Sequence, residues 1–167
     1  VTNLSWSPPI YVKPSFFKSG RALSSGLKTT AIFLSVISSQ LPEKAFGVFR
    51  HQLGNPRHHL LRGFNDAFDI PVSRHTEVHA EDVEKFPDLE MLAWSDDSGV
   101  CLVEDRKRRH VCMFNHLEYT ATTLCEEYAR DRLAGRSTAL PENYFRNDVV
   151  TASPENTWLA DARRFYK

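Results

Sequence analysis

Apolar and polar positions along this chain switch between the period of a strand and that of a helix. Ala31-Ile32-Phe33-Leu34-Ser35-Val36-Ile37 is an almost unbroken apolar run, which suits a strand covered on both faces. Phe46 to Leu53 is a second apolar stretch, and Arg62-Gly63-Phe64-Asn65-Asp66 reads as a turn leading to Phe68 and Ile70. After Thr76-Glu77-Val78, an acidic segment from about Ala80 predicts a helix that Pro87 ends. Leu89 to Trp94, Val100 to Val103 and Arg109 to Phe114 return to strand, and Asp96-Asp97-Ser98-Gly99 is a turn signal. The short connections predict antiparallel neighbours within a mixed sheet.

The clearest helix pattern covers Thr122 to Ala134. Thr123 and Glu126 have the spacing of a capping box, and Gly135 supplies a stop. Leu124, Tyr128 and Leu133 mark the stripe expected to be buried. Leu140 to Phe145 is a loop with two aromatics, and Thr157 to Tyr166 is a further helix, capped by Asn156 or Thr157. Pro8, Pro9 and Pro14 with scattered Ser and Gly make residues 1–28 an irregular arm, leaving 29–167 for the folded α/β domain.

Composition narrows the functional classes. Lys and Arg together number 21, as do Asp and Glu, so no global field favours nucleic acid or an anionic membrane. The basic run Arg106-Lys107-Arg108-Arg109 lies between two strand patterns and is expected to be a solvated hairpin tip. Thr30 to Ser39 is too short to span a bilayer. The cysteines, Cys101, Cys112 and Cys125, are odd in number and irregularly spaced, which fits a reducing, cytoplasmic setting better than a disulfide framework. None has metal-ligand spacing; His58-His59, beside Pro56 and Arg57, are expected to be exposed loop histidines, and no metal is expected. The first residue is Val1, not methionine, which points to a fragment or a processed product.

The chemistry concentrates at His116 and Glu118, two residues apart where a strand pattern gives way to a helix pattern. Open α/β folds place their sites at such edges. An imidazole there can serve as a general base, and a nearby carboxylate can fix its tautomer. Glu127 and Arg130, three residues apart, share a helical face, the spacing of an ordinary surface ion pair.

Ordered segments extend this set. They run from Leu41-Pro42-Glu43-Lys44 and Phe46-Gly47-Val48-Phe49 through Leu60-Leu61-Arg62-Gly63-Phe64-Asn65-Asp66 to Ser73-Arg74-His75-Thr76-Glu77-Val78. His116-x-Glu118-Tyr119, Glu127-x-x-Arg130-Asp131, Pro141-x-Asn143-Tyr144-Phe145-x-Asn147-Asp148 and Asn156-Thr157-Trp158 follow. In this order they resemble the homoserine O-acyltransferases of methionine biosynthesis, mainly their C-terminal half. The resemblance implies a class-I glutamine-amidotransferase-like, flavodoxin-like three-layer sandwich, here truncated. It also implies ping-pong transfer of an acetyl or succinyl group from acetyl-CoA or succinyl-CoA, through a thioester on an elbow cysteine, to L-homoserine. No bound cofactor is implied. A homodimer is one oligomeric outcome, and neither nucleic acid nor membrane is an expected partner.

Carried over by motif, His116 is the base and Glu118 its orienting carboxylate. Lys44 lies near the acyl site, Ser73 contacts substrate, Arg130 takes the homoserine carboxylate and Glu127 its ammonium. The pattern is broken at the nucleophile, where Ser35 stands in the place of the cysteine and is followed by Val36 and Ile37 rather than small residues. Asn115 replaces a family glycine, with the expectation that asparagine tolerates the positive φ such a turn would need. Leu117 replaces proline, and Val72 replaces histidine. Two further readings follow from the broken elbow: a catalytically impaired fragment or module that binds a small amino acid, and an amidotransferase-like hydrolase built on the same triad logic.

Overall fold

The computed structural model describes residues 10–12, 38–150 and 152–167. In chain order its strands are β1 (Ile10–Val12), β2 (Ser38–Leu53), β3 (Ala67–Val78), β4 (Leu89–Ser95), β5 (Gly99–Asp105) and β6 (His110–Met113). The α-helices are α1 (Ala80–Glu84), α2 (Thr123–Leu133) and α3 (Leu159–Phe165). The strands form one sheet in the order β1-β6-β5-β4-β2-β3. β1 runs parallel to β6 and every other pairing is antiparallel, so the sheet is mixed, as expected. The expected strand Ala31 to Ile37, with Ser35 in it, lies outside the described residues.

The meander β4-β5-β6 follows from its turns. Gly99, at φ 71°, supplies the left-handed residue after Asp96-Asp97-Ser98. The basic tip between β5 and β6 is solvated as expected, and Arg106 and Arg108 reach back to Glu90 and Asp105. Pro87 follows the short α1 as predicted.

β2 is longer than its apolar stretch. Its first part pairs with β3 from Ser38↔Val78, and the register then shifts between Gln40 and Ala45. Leu41-Pro42-Glu43-Lys44 forms this bulge. Proline, which has no N–H to give a ladder, is tolerated there. The bulge also lifts Lys44 out of the strand pattern.

Apolar side chains pack on both faces of the sheet. One cluster joins Phe46, Val48, Ile70, Leu102 and Met113 to Leu124 of α2 and Phe165 of α3. The other joins Val78, Val100 and Val103 to Val83 of α1. Helix, sheet and helices thus make three layers.

Several local expectations are corrected. Leu133 is 89% exposed, because the last turn of α2 runs past the edge of the cluster that buries Leu124. The capping box does not form. Thr123 Oγ1 receives the Thr120 amide instead, and Thr122 donates its hydroxyl to Glu126. α3 starts after Trp158, whose indole donates to the Tyr119 carbonyl, so it is anchored by a buried ring rather than by an Asn156 or Thr157 cap. His58 is buried, not exposed: it caps the 3-10 turn His59–Leu61 and bonds to Glu104.

Candidate active site

The site lies where β6 ends and α2 begins. Beyond Met113 the chain is tied to three different strands. The Phe114 amide donates to the Cys101 carbonyl on β5, the Asn115 side chain bonds to His51 on β2, and the His116 amide donates to the Pro71 carbonyl on β3. Leu117, where the family has proline, is buried and anchors the turn by packing. Asn115 is not among the residues with positive φ, so its turn does not use the backbone freedom expected of it.

His116 Nδ1 lies 3.2 Å from Glu118 Oε1. A carboxylate can only accept, so Nδ1 carries a proton, and in the neutral ring Nε2 is the accepting nitrogen. The imidazole stacks on Tyr119, with ring centroids 4.2 Å apart and planes tilted by 15°. One hydrogen bond and one stacked ring fix both its tautomer and its plane.

Tyr119 links this pair to the helix. Its hydroxyl donates to Glu127 Oε1 at 2.8 Å, and the Ser73 hydroxyl donates to Glu127 Oε2 at 2.6 Å. Lys44 approaches Glu127 at 3.5 Å and Asp131 at 3.6 Å. Asp131 also accepts from Arg130 and from Arg136, both at Oδ1. Arg136 reaches it because Gly135, at φ 71°, turns the chain back across the end of α2. Lys44, Ser73, His116, Glu118, Glu127 and Arg130 are therefore joined in one chain of contacts, with Tyr119 and Asp131 as connecting members. The Glu127–Arg130 pair is not an ordinary surface i,i+3 bridge: Glu127 turns inward to Lys44, and Arg130 pairs with Asp131.

Burial would raise the Glu127 carboxyl, but the bonds from Ser73 and Tyr119 and the charges of Lys44 and Arg130 outweigh it and hold its pKa below the usual range. Burial likewise opposes Asp131, where Arg130, Lys44 and Arg136 prevail and keep the carboxyl ionised. Burial and the Glu127 carboxylate push the Tyr119 phenol well up, so it stays a hydrogen-bond donor. The Arg130 side chain remains 62% exposed, leaving its outer N–H groups open to a ligand.

Two further groups of side chains are committed to other surroundings. Burial pushes the Cys101 and Cys112 thiols up to about 12, so neither supplies a thiolate at neutral pH. Ser35 lies outside the described residues. His58, Glu90 and Glu104 bring ligand atoms within 4.8 Å of one another. Each is already engaged: His58 Nε2 with Glu104, His58 Nδ1 with the Leu60 amide, and Glu90 with Asn55 and Arg106. A cation there would have to displace the Nε2 proton and the arginine.

Sequence reasoning missed the connecting roles of Tyr119 and Asp131, although both stand beside residues it had singled out. It also missed the buried set of His51, Ser98 and Asn115, since nothing in the local pattern brings positions so far apart together.

A mixed sheet layered by helices, with an imidazole–carboxylate pair just past a strand end and a cluster of mixed charge linked to it, defines an α/β protein. The model of the homoserine O-succinyltransferase family matches residues 24–167, and the chain belongs to that family. It is 49% identical over 126 residues to a homoserine O-acetyltransferase of Geobacillus kaustophilus, covering 75% of this chain and 42% of that protein. It is 47% identical over 134 residues to a homoserine O-acetyltransferase of Allorhizobium ampelinum, covering 80% of this chain and 43% of that protein. The chain thus spans less than half the length of these relatives. Among solved structures, SMU.1228c is similar with a TM-score of 0.54 at 14% identity, over 77% of this chain and 52% of that one. No helix among the described residues is long and apolar enough to cross a membrane.

Proposed function

We propose that this chain carries the acceptor side of a homoserine O-acyltransferase site, acting in the cytoplasm in methionine biosynthesis. The observation behind this reading is the continuous path of contacts His116–Tyr119–Glu127–Lys44–Asp131–Arg130, which supports pairing a base with a two-signed clamp. Arg130 offers its outer N–H groups to the amino-acid carboxylate. Glu127, with Ser73 beside it, takes the ammonium. The substrate hydroxyl then faces His116 Nε2.

In the ping-pong scheme, a nucleophile gives its proton to His116 Nε2 as it attacks the acyl-CoA carbonyl, and that proton passes to the departing CoA thiolate, which leaves as the thiol. The homoserine hydroxyl attacks the resulting acyl-enzyme, gives its proton to His116 Nε2, and the nucleophile departs with a proton in turn. Glu118 stabilises the imidazolium formed between these steps. Lys44 is placed to offset developing negative charge. Ser35 is the position assigned to the nucleophile, and acetyl-CoA and succinyl-CoA are both compatible with the residues described.

A second reading is favoured by the family elbow cysteine being replaced at Ser35: the chain binds the amino acid without turning it over. Calorimetric titration with L-homoserine, alongside an acyl-transfer assay with each CoA ester, separates the two. Binding weakened about tenfold or more by Arg130→Ala is expected in either case, from the loss of charge-assisted bonds. Turnover abolished by Ser35→Ala supports the transferase, and binding without turnover supports the module. Absence of homoserine binding by the unaltered chain would sink both.

A further inference from the structure

The bond between Asn115 and His51 is buried, connects the C-terminal end of β2 to the turn that carries His116, and has no part in the reaction described above. His51 is fully buried, and its hydrogen bonds fix its state. Nδ1 lies 2.8 Å from the Phe49 carbonyl, which can only accept, so Nδ1 bears the proton. Nε2 then accepts from the Asn115 amide at 2.8 Å and from the Ser98 hydroxyl at 3.4 Å. A doubly protonated ring would set an N–H against the Asn115 donor. Burial, which lowers the His51 pKa to about 4, favours the same neutral form.

Asn115 does not use the left-handed backbone for which a small or amide residue would be chosen. What it contributes is its side chain. Its Oδ1 is buried with no partner, a cost that an apolar residue would not carry. The gain is the Nδ2 bond to His51. The next residue is His116, whose backbone amide is held from the other side by Pro71. The turn is therefore gripped between β2 and β3, one residue before the imidazole and at it.

We infer that Asn115 and His51 are positioning residues: a neutral buried imidazole accepts the Asn115 amide and so holds the His116 ring in line with Glu118 and Tyr119. This rests on the reading of His116 as the base. Without the latch, the turn keeps its backbone bonds but gains rotational freedom at residue 115. The His116 ring then leaves the plane of Tyr119, and its Nδ1 proton is no longer confined to Glu118.

Nitrogen NMR of the full chain, labelled at histidine, reads both ends of this device. In the unaltered protein, His51 and His116 are each expected as a single Nδ1–H tautomer at neutral pH. Asn115→Ala should move the His51 Nε2 resonance, because its donor is gone. It should also shift the His116 pair toward the averaged position of a ring exchanging between tautomers. Asn115→Asp, which keeps the volume but removes the donor, is expected to do the same and serves if the alanine variant does not fold. Ser98→Ala, which removes only the longer contact, should leave His116 in place. A His51 signal that moves while His116 keeps its tautomer overturns the inference and leaves the functional reading standing. A mixture of tautomers at His116 in the unaltered protein defeats the functional reading, and the inference with it.

Discussion

Replacing Gly47 by alanine should cost about 3–4 kcal/mol of stability, among the largest effects of any single methyl in this chain. Gly47 has φ 154°, and a Cβ built on it would lie 2.4 Å from the Glu142 carbonyl oxygen and 2.6 Å from its nitrogen. Both are backbone atoms and cannot swing aside. The close approach has a purpose. Val48 donates to the Glu142 carbonyl, and Glu142 donates to Phe46, so the Pro141–Phe145 loop lies along β2 as a short parallel bridge. That loop delivers Tyr144, whose hydroxyl donates to the Ala121 carbonyl and accepts the Cys125 amide at the start of α2. Gly47→Ala should therefore loosen α2 and weaken amino-acid binding through Glu127 and Arg130. Gly63→Ala is the comparison: Gly63 has φ 85° but open space around it, so the substitution adds only backbone strain and costs about 1–2 kcal/mol. Urea unfolding of the two variants should show Gly47→Ala clearly the less stable; equal losses would refute the steric argument.

Acid should unfold the protein through His51 before it reaches the carboxylates of the site. Burial dominates at this imidazole and lowers its pKa from 6.5 to about 4. The Phe49 bond and Asp69 oppose that shift, and Arg74 adds to it. Above pH 6.5 the ring is neutral in both the native and the unfolded chain, and the stability of the buried neutral form is fully present. As the pH falls from 6.5 toward 4, the unfolded chain takes up a proton that the native one refuses, and stability declines. At about 1.36 kcal/mol per pH unit, the whole window is worth about 3 kcal/mol, most of it lost by about pH 4.5. His59 and His110 are also lowered, chiefly by burial, and share the sign, so the diagnostic quantity is a difference between proteins. His51→Gln should be less stable than the unaltered chain at pH 7 and should lose less on acidification. Identical pH slopes in the two proteins would show that His51 is not the group responsible.

Much of the sheet could be read from the residues, because its signals are local. Asp96-Asp97-Ser98-Gly99 specifies a turn by backbone preference alone, and Pro87 ends a helix by lacking a donor. The full course of β2 was less legible. Its start at Ser38 and the bulge at Leu41 to Lys44 depend on pairing with β3, which apolar periodicity does not encode. The errors at α2 and α3 have the same origin. Leu133 has the spacing of a core position, yet no described residue covers its side chain. Trp158 took the anchoring role that Asn156 or Thr157 would have filled, because the Tyr119 carbonyl was within its reach. At the site, the charged residues were visible as motif members. The neutral parts that align them were not, since Tyr119 joins His116 to Glu127 by stacking and one hydroxyl, and His51 meets Asn115 only through the fold.

The Asp131 carboxylate holds Lys44, Arg130 and Arg136 at once, so charge changes in this group will not sum. Deleting the carboxylate would set three cations against one another, whereas deleting one cation relieves the crowding of the other two. A neutral replacement of Asp131 is therefore expected to cost less stability once one of its three counter-ions has also been removed.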